Sequence, residues 1–182
     1  MTESSHFGRE LEGFLNGFDF YNARERLTED DLLVRKTASD DLDSASNLVR
    51  RARVAWASSP ALRVTREHPL PSVEVMERLH LLEGIEHGIA IQAERIRTAP
   101  LPETDRTWRY LRSDQSVLEL LLQCDLDLVK SAKTVRDSAE EFFSLGSPDG
   151  LGLGAFRSVQ DGLKAVQEAF RRRQDALRVP GL

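Results

Sequence analysis

Residues 111–145 read LRSDQSVLELLLQCDLDLVKSAKTVRDSAEEFFSL. Leu111, Leu118, Leu121, Asp125, Leu128, Ala132, Val135, Ala139 and Phe142 recur at intervals of seven, three and four. An α-helix turns once in about 3.6 residues, so this spacing draws one narrow seam along a helical face. Such a seam suits a helix packed on other helices, as in a coiled coil, whereas a helix lying on a sheet shows a broader stripe. Thr104 or Asp105 supplies an N-cap, and Gly146-Ser147-Pro148-Asp149-Gly150 a stop. The reading is one helix over 105–145, about 60 Å long at 1.5 Å per residue.

The same spacing extends to the rest of the chain. Phe7, Leu11, Phe14, Phe18 and Tyr21 make a seam over 5–26. Ala38, Leu42, Ala45, Val49, Ala52 and Trp56 make another over 29–58, one residue out of phase with the first, which places a break near Leu27-Thr28. Thr28, followed by Glu29, Asp30 and Asp31, reads as an N-cap with an acidic first turn. Pro60, Pro69 and Pro71 keep the next connection extended. Ser72 caps a helix over 73–98, with Val75, Leu79, Leu82, Ile85, Ile89 and Ile96 inward, and Pro100 and Pro102 end it. Phe156, Val159, Leu163, Val166, Phe170 and Leu177 mark the last helix, 155–178. Leu (26) far exceeds Val (12) and Ile (4), which favours helix over sheet. The expected fold is one all-α domain over 1–182, an elongated antiparallel bundle of four to five long helices with coiled-coil-like packing.

Composition narrows the function. A lone cysteine, Cys124, excludes an internal disulfide and the usual cysteine-based zinc site. With no basic-then-apolar leader and no stretch of about 20 apolar residues, the chain reads as cytoplasmic, with no membrane partner. A net charge of -5 argues against nucleic acid, which needs clustered positive charge. That charge is uneven: residues 1–45 carry 11 acids and 5 bases, residues 155–182 carry 3 acids and 6 bases. Pairing between the two ends, within or between protomers, follows from that asymmetry.

Glu77 and His80 have the Glu-x-x-His spacing that resembles ferritin-like di-iron bundles, and Glu83 and His87 share the face of His80. These four are the candidate metal ligands. They point away from the Leu82, Ile89 and Ile96 stripe, and His68 has no glutamate three positions before it, so the competing reading is a solvated or contact face. Arg63 and His68 resemble a spacing used by some helical ribonucleases. Asp125 breaks an apolar seam and is expected to pair with an Arg or Lys of a neighbouring helix. Cys124 reads as a small buried hydrophobe.

Two glycine pairs four residues apart, Gly13/Gly17 and Gly84/Gly88, sit inside helical stretches where each glycine costs about 1 kcal/mol relative to alanine. The expectation is close helix-helix approach, internal or between subunits. With Phe7, Phe14 and Phe18, and with the basic run Arg171, Arg172 and Arg173, Gly13 and Gly17 form the candidate interface. The Gly150–Gly154 turn lacks the Gly-Lys-Ser/Thr ending of a phosphate loop. No catalytic set and no cofactor are assigned. The functional expectation is a non-enzymatic scaffold or adaptor acting through helix-helix contacts with protein partners and forming a homodimer. The alternatives are a metal- or small-ligand-binding bundle and a helical ribonuclease.

Overall fold

A computed structural model describes residues 6–15, 20–21, 24–58, 73–101, 104–144 and 153–178, and within these the chain is helical with no strand. The helices are α1 (His6–Leu15), α2 (Leu27–Ala57), α3 (Val73–Arg97), α4 (Thr104–Ser113), α5 (Gln115–Ser144) and α6 (Leu153–Leu177). A short 3-10 turn, Arg24–Arg26, leads into α2. At about 1.5 Å per residue, α2 and α5 each span close to 45 Å.

The seams face inward. Ala38, Leu42, Ala45, Val49 and Trp56 of α2 are buried against Leu121, Leu128, Ala132, Val135, Ala139 and Phe142 of α5 and Val159, Val166 and Phe170 of α6 in one core. Leu82, Ile85, Ile89, Ala93 and Ile96 join it from α3.

Two antiparallel hairpins build the bundle. In the first, α2 and α3 are tied by Arg53 to Glu86 at 3.0 Å and by Asp43 to Arg97. In the second, Gly162 of α6 sits against Val135 of α5, and Arg173 pairs with Asp125. The hairpins join through α2 and α5, which run parallel: Asp41 meets Arg136 at 2.5 Å, and ten residues on Arg51 stacks over Phe143 at 5.2 Å. The outer helices, α3 and α6, meet only over a short stretch. Among the described residues, one long side of the bundle is therefore open. Against the second hairpin, α1 lies along α5, with Lys130 paired to Glu10.

Three boundaries differ from the sequence reading. The helix expected over 5–26 is described over His6–Leu15, and Tyr21 lies outside it, in a turn with φ of 57°. The helix expected over 105–145 breaks at Asp114, whose Oδ1 accepts from the Ser116 amide at 2.9 Å and the Ser116 hydroxyl at 2.6 Å. That is the bonding of an N-cap, so Asp114 opens a new helix inside an apparently continuous seam. Thr28 is not a cap: α2 begins at Leu27, and Arg26 before it makes no side-chain capping bond.

Candidate functional site

Near one end of the bundle lies a buried polar cluster assembled from four parts of the chain. The Tyr21 hydroxyl donates to Asp125 Oδ2 at 2.6 Å, and its backbone N–H donates to Asp30 Oδ2 at 2.8 Å. Arg173 reaches across from α6, donating from Nε to Asp125 and from Nη2 to Asp31. Arg35 lies 2.7 Å from Asp31 and donates to the Ala99 carbonyl at 2.5 Å, which ties in the end of α3. Asp125 is fully buried, and Tyr21, Asp30, Asp31, Arg35 and Arg173 are at most 2% exposed. Three carboxylates face two arginines, with half-buried Arg26 3.8 Å from Asp30 as the third cation.

Burial pushes the Asp125 carboxyl up from its ordinary value, while Arg173 and the Tyr21 hydroxyl pull it down. Burial, and then the Asp125 charge, drive the Tyr21 phenol well above its ordinary value. Burial opposes the charge on Arg173, yet Asp125 and its neighbours hold that guanidinium above its ordinary value. Buried acids and bases paired across α2, α5 and α6 in this way tie those helices to one another at this end. The expected partner of Asp125 on a neighbouring helix is thus Arg173. Sequence reasoning had assigned Arg173 to an external interface; it is interior. The acidic first quarter and the basic last helix do pair here, within one chain, through Asp31 and Arg173. Arg171 is exposed and bonded to Glu168 and Asp175 of its own helix, and Arg172 lies 3.5 Å from Asp127. Cys124 is buried, and burial pushes its thiol up, away from the thiolate a nucleophile needs.

Glu77, His80, Glu83 and His87 all project from α3 as exposed side chains. Among the described residues no three His, Cys, Asp or Glu side chains come together as a group able to hold a metal ion. The spacing places Glu77 and His80 on one helix face, but among the described residues no other helix brings a ligand to complete a metal set. Arg63 and His68 lie outside the described residues, as do Gly17 and Phe18 of the expected interface.

Of the remaining interface candidates, Phe7 is half-buried against the core, and the exposed Phe14 ring has Lys130 and Lys133 at 5.8 and 5.7 Å from its centroid. A Cβ added at Gly13 or Gly84 would meet nothing within 4 Å, so neither glycine serves a close approach inside the bundle. That role falls to Gly162, where an added Cβ would lie 2.8 Å from Val135 Cγ2. Sequence reasoning missed Gly162 because no second glycine stands four residues away to mark it.

On the open side, α3 and α6 border a groove of about 410 Å³ lined by His80, Leu81, Gly84, Ile85, Gln160, Leu163, Lys164 and Gln167. Of its lining residues Ile85 is buried and Leu163 half-buried, while His80, Lys164 and Gln167 are exposed. Leu81 and Ile91 of α3 are 48% and 46% exposed, outside the stripe of Leu82, Ile85, Ile89 and Ile96 that α3 buries in the core. None of the described helices is long and apolar enough to cross a membrane. Comparison of the chain with protein-family models, with curated proteins and with solved structures finds no match.

Proposed function

We propose that this protein is a non-enzymatic helical scaffold or adaptor of the cytoplasm, working through coiled-coil-like helix-helix contacts on its open α3–α6 side. One observation carries the reading: α3 presents Leu81, Gly84 and Ile91 to solvent beside a groove shared with α6, in addition to the stripe of Leu82, Ile85, Ile89 and Ile96 that it buries in the core. The bare Cα of Gly84 leaves room for another backbone to come close. The buried charge cluster supports the same reading from the other direction. It spends the best-placed acids and bases of the chain on rigidity, and a rigid frame is what a contact surface requires.

A photo-crosslinking residue in place of Leu81 or Ile91, compared with one in place of exposed Arg50 on α2, tests this in the native host. Protein adducts are expected from positions 81 and 91 and not from position 50. Absence of any protein adduct at 81 and 91 removes the reading.

A further inference from the structure

The exposed seam of α3 is its own complement. Glu77, Leu81, Gly84, Gly88, Ile91 and Arg95 follow one another at intervals of four, three, four, three and four. That is the spacing of a helix-pairing stripe, drawn about a third of a turn around α3 from Leu82, Ile89, Ala93 and Ile96 of the core, on the flank that borders α6. The six positions are arranged symmetrically about residue 86. When a second α3 is laid antiparallel with its two-fold axis at that level, Glu77 stands opposite Arg95 of the other copy. Leu81 then stands opposite Ile91, and Gly84 opposite Gly88. Each pair occurs twice, as a closed two-fold contact demands.

Charge, shape and lack of partners agree. Glu77 and Arg95 are both exposed, and neither has an ion-pair partner among the described residues, although nearby Arg53, Glu86, Glu94 and Arg97 on α2 and α3 are all paired. At the centre, an added Cβ at Gly84 would meet open space, and one at Gly88 would meet only Leu163 Cδ2, at 3.5 Å. At Gly84 a second helix can therefore approach more closely than a larger side chain permits, with Leu163 of α6 bordering the contact at Gly88. The outer apolar pair falls at the groove, where Ile91 of the second copy enters beside Leu81, between Gln160, Lys164 and Gln167. On this basis, and resting on the scaffold reading of the same face, we propose that the occupant of the α3 seam is a second copy of this chain, docked antiparallel about residue 86.

The contact runs over about five helical turns, so its area is modest and micromolar dissociation is expected. Sedimentation equilibrium of the full chain tests it. The wild-type mass is expected to rise from 20.5 kDa toward twice that value as concentration increases into the range of about 10–100 μM. Glu77→Arg and Arg95→Glu each set like charges against each other twice, and each is expected to weaken the dimer about ten-fold or more. The double variant E77R/R95E exchanges the charges and is expected to return dissociation to within about three-fold of wild type. Both sites are exposed, so circular dichroism should show unchanged helix content in all three variants.

A wild-type protein that stays monomeric throughout that range overturns the proposal. So does a dimer indifferent to both single reversals, or one not rescued by the double. A monomer that still gives crosslinks to a different protein through positions 81 and 91 defeats the two-fold dimer alone and leaves the scaffold reading standing.

Discussion

Tyr21 holds an unusual set of positions at once. Its backbone has φ of 57°, a region costing a non-glycine residue on the order of 1 kcal/mol, and its ring is buried at the junction of α2, α5 and α6. The bonds from its amide to Asp30 and from its hydroxyl to Asp125 offset that cost. The phenol's pKa is raised in the folded state, so above about pH 10 the unfolded chain loses a proton that the native chain keeps. Where the native state binds more protons, stability falls as pH rises. The contribution is therefore fully present below the ordinary phenol value and is lost as pH climbs toward the folded one. Urea midpoints measured at about pH 8 and about pH 11 should drop more steeply for wild type than for Tyr21→Phe. At the lower pH the variant should be weaker by about 1–2 kcal/mol, because Asp125 loses a donor. Equal pH slopes for the two proteins would contradict this account.

Glycine means opposite things on two helices. On α3, Gly84 is exposed with open space where a Cβ would go, so Gly84→Ala, assayed dilute enough to keep the protein monomeric, should gain up to about 1 kcal/mol from helix propensity. On α6, the same change at Gly162 drives a methyl to 2.8 Å from Val135 Cγ2, a stiff branched side chain with the α5 backbone 3.7 Å behind it. The resulting overpacking costs about 1–3 kcal/mol and outweighs the propensity gain. Urea denaturation of the two variants should give midpoints displaced in opposite directions from wild type. Equal displacements would mean that the α5–α6 contact yields freely. Asp114 shows how an element boundary hides in a sequence. The seam from Leu111 to Leu118 runs straight across it, and periodicity registers the repeat of side chains without registering which backbone amides they cap. Tyr21 shows the same, since its spacing from Phe14 continues a helical repeat although it lies in a turn outside α1.

In the whole bundle, the cluster of Tyr21, Asp30, Asp31, Arg35, Asp125 and Arg173 is what joins the two hairpins at this end. Arg173→Met is a near-isosteric truncation that leaves Asp31 and Asp125 buried without their shared cation. Removing one partner of a buried ion pair costs about 3–5 kcal/mol, a large share of the stability of a domain this size. Thermal unfolding followed by circular dichroism should show a much lower midpoint for Arg173→Met than for Arg171→Met. Arg171 lies in the same run but makes only exposed pairs with Glu168 and Asp175, worth at most about 1 kcal/mol each. Comparable losses in the two variants would mean that the interior cluster contributes little to stability.

The class of fold was legible in the chain because it depends on local periodicity. Leucine-rich seams at three- and four-residue intervals have one low-energy solution, helices buried along one stripe, and the core residues of α2, α5 and α6 were identified from those seams. The demand of Asp125 for a partner was legible too, since a carboxylate on an apolar seam is costly alone. That Arg173 would answer it, that α2 and α5 would run parallel, and that α3 and α6 would leave a side open were not legible. They depend on how rigid helices meet across separations of 40 to 140 residues, and seam spacing is the same whichever neighbour a helix chooses. The same holds for the glycines. Gly84 and Gly162 are equivalent as helix residues, and only the position of Val135 makes one a packing necessity while the other stays open to a partner.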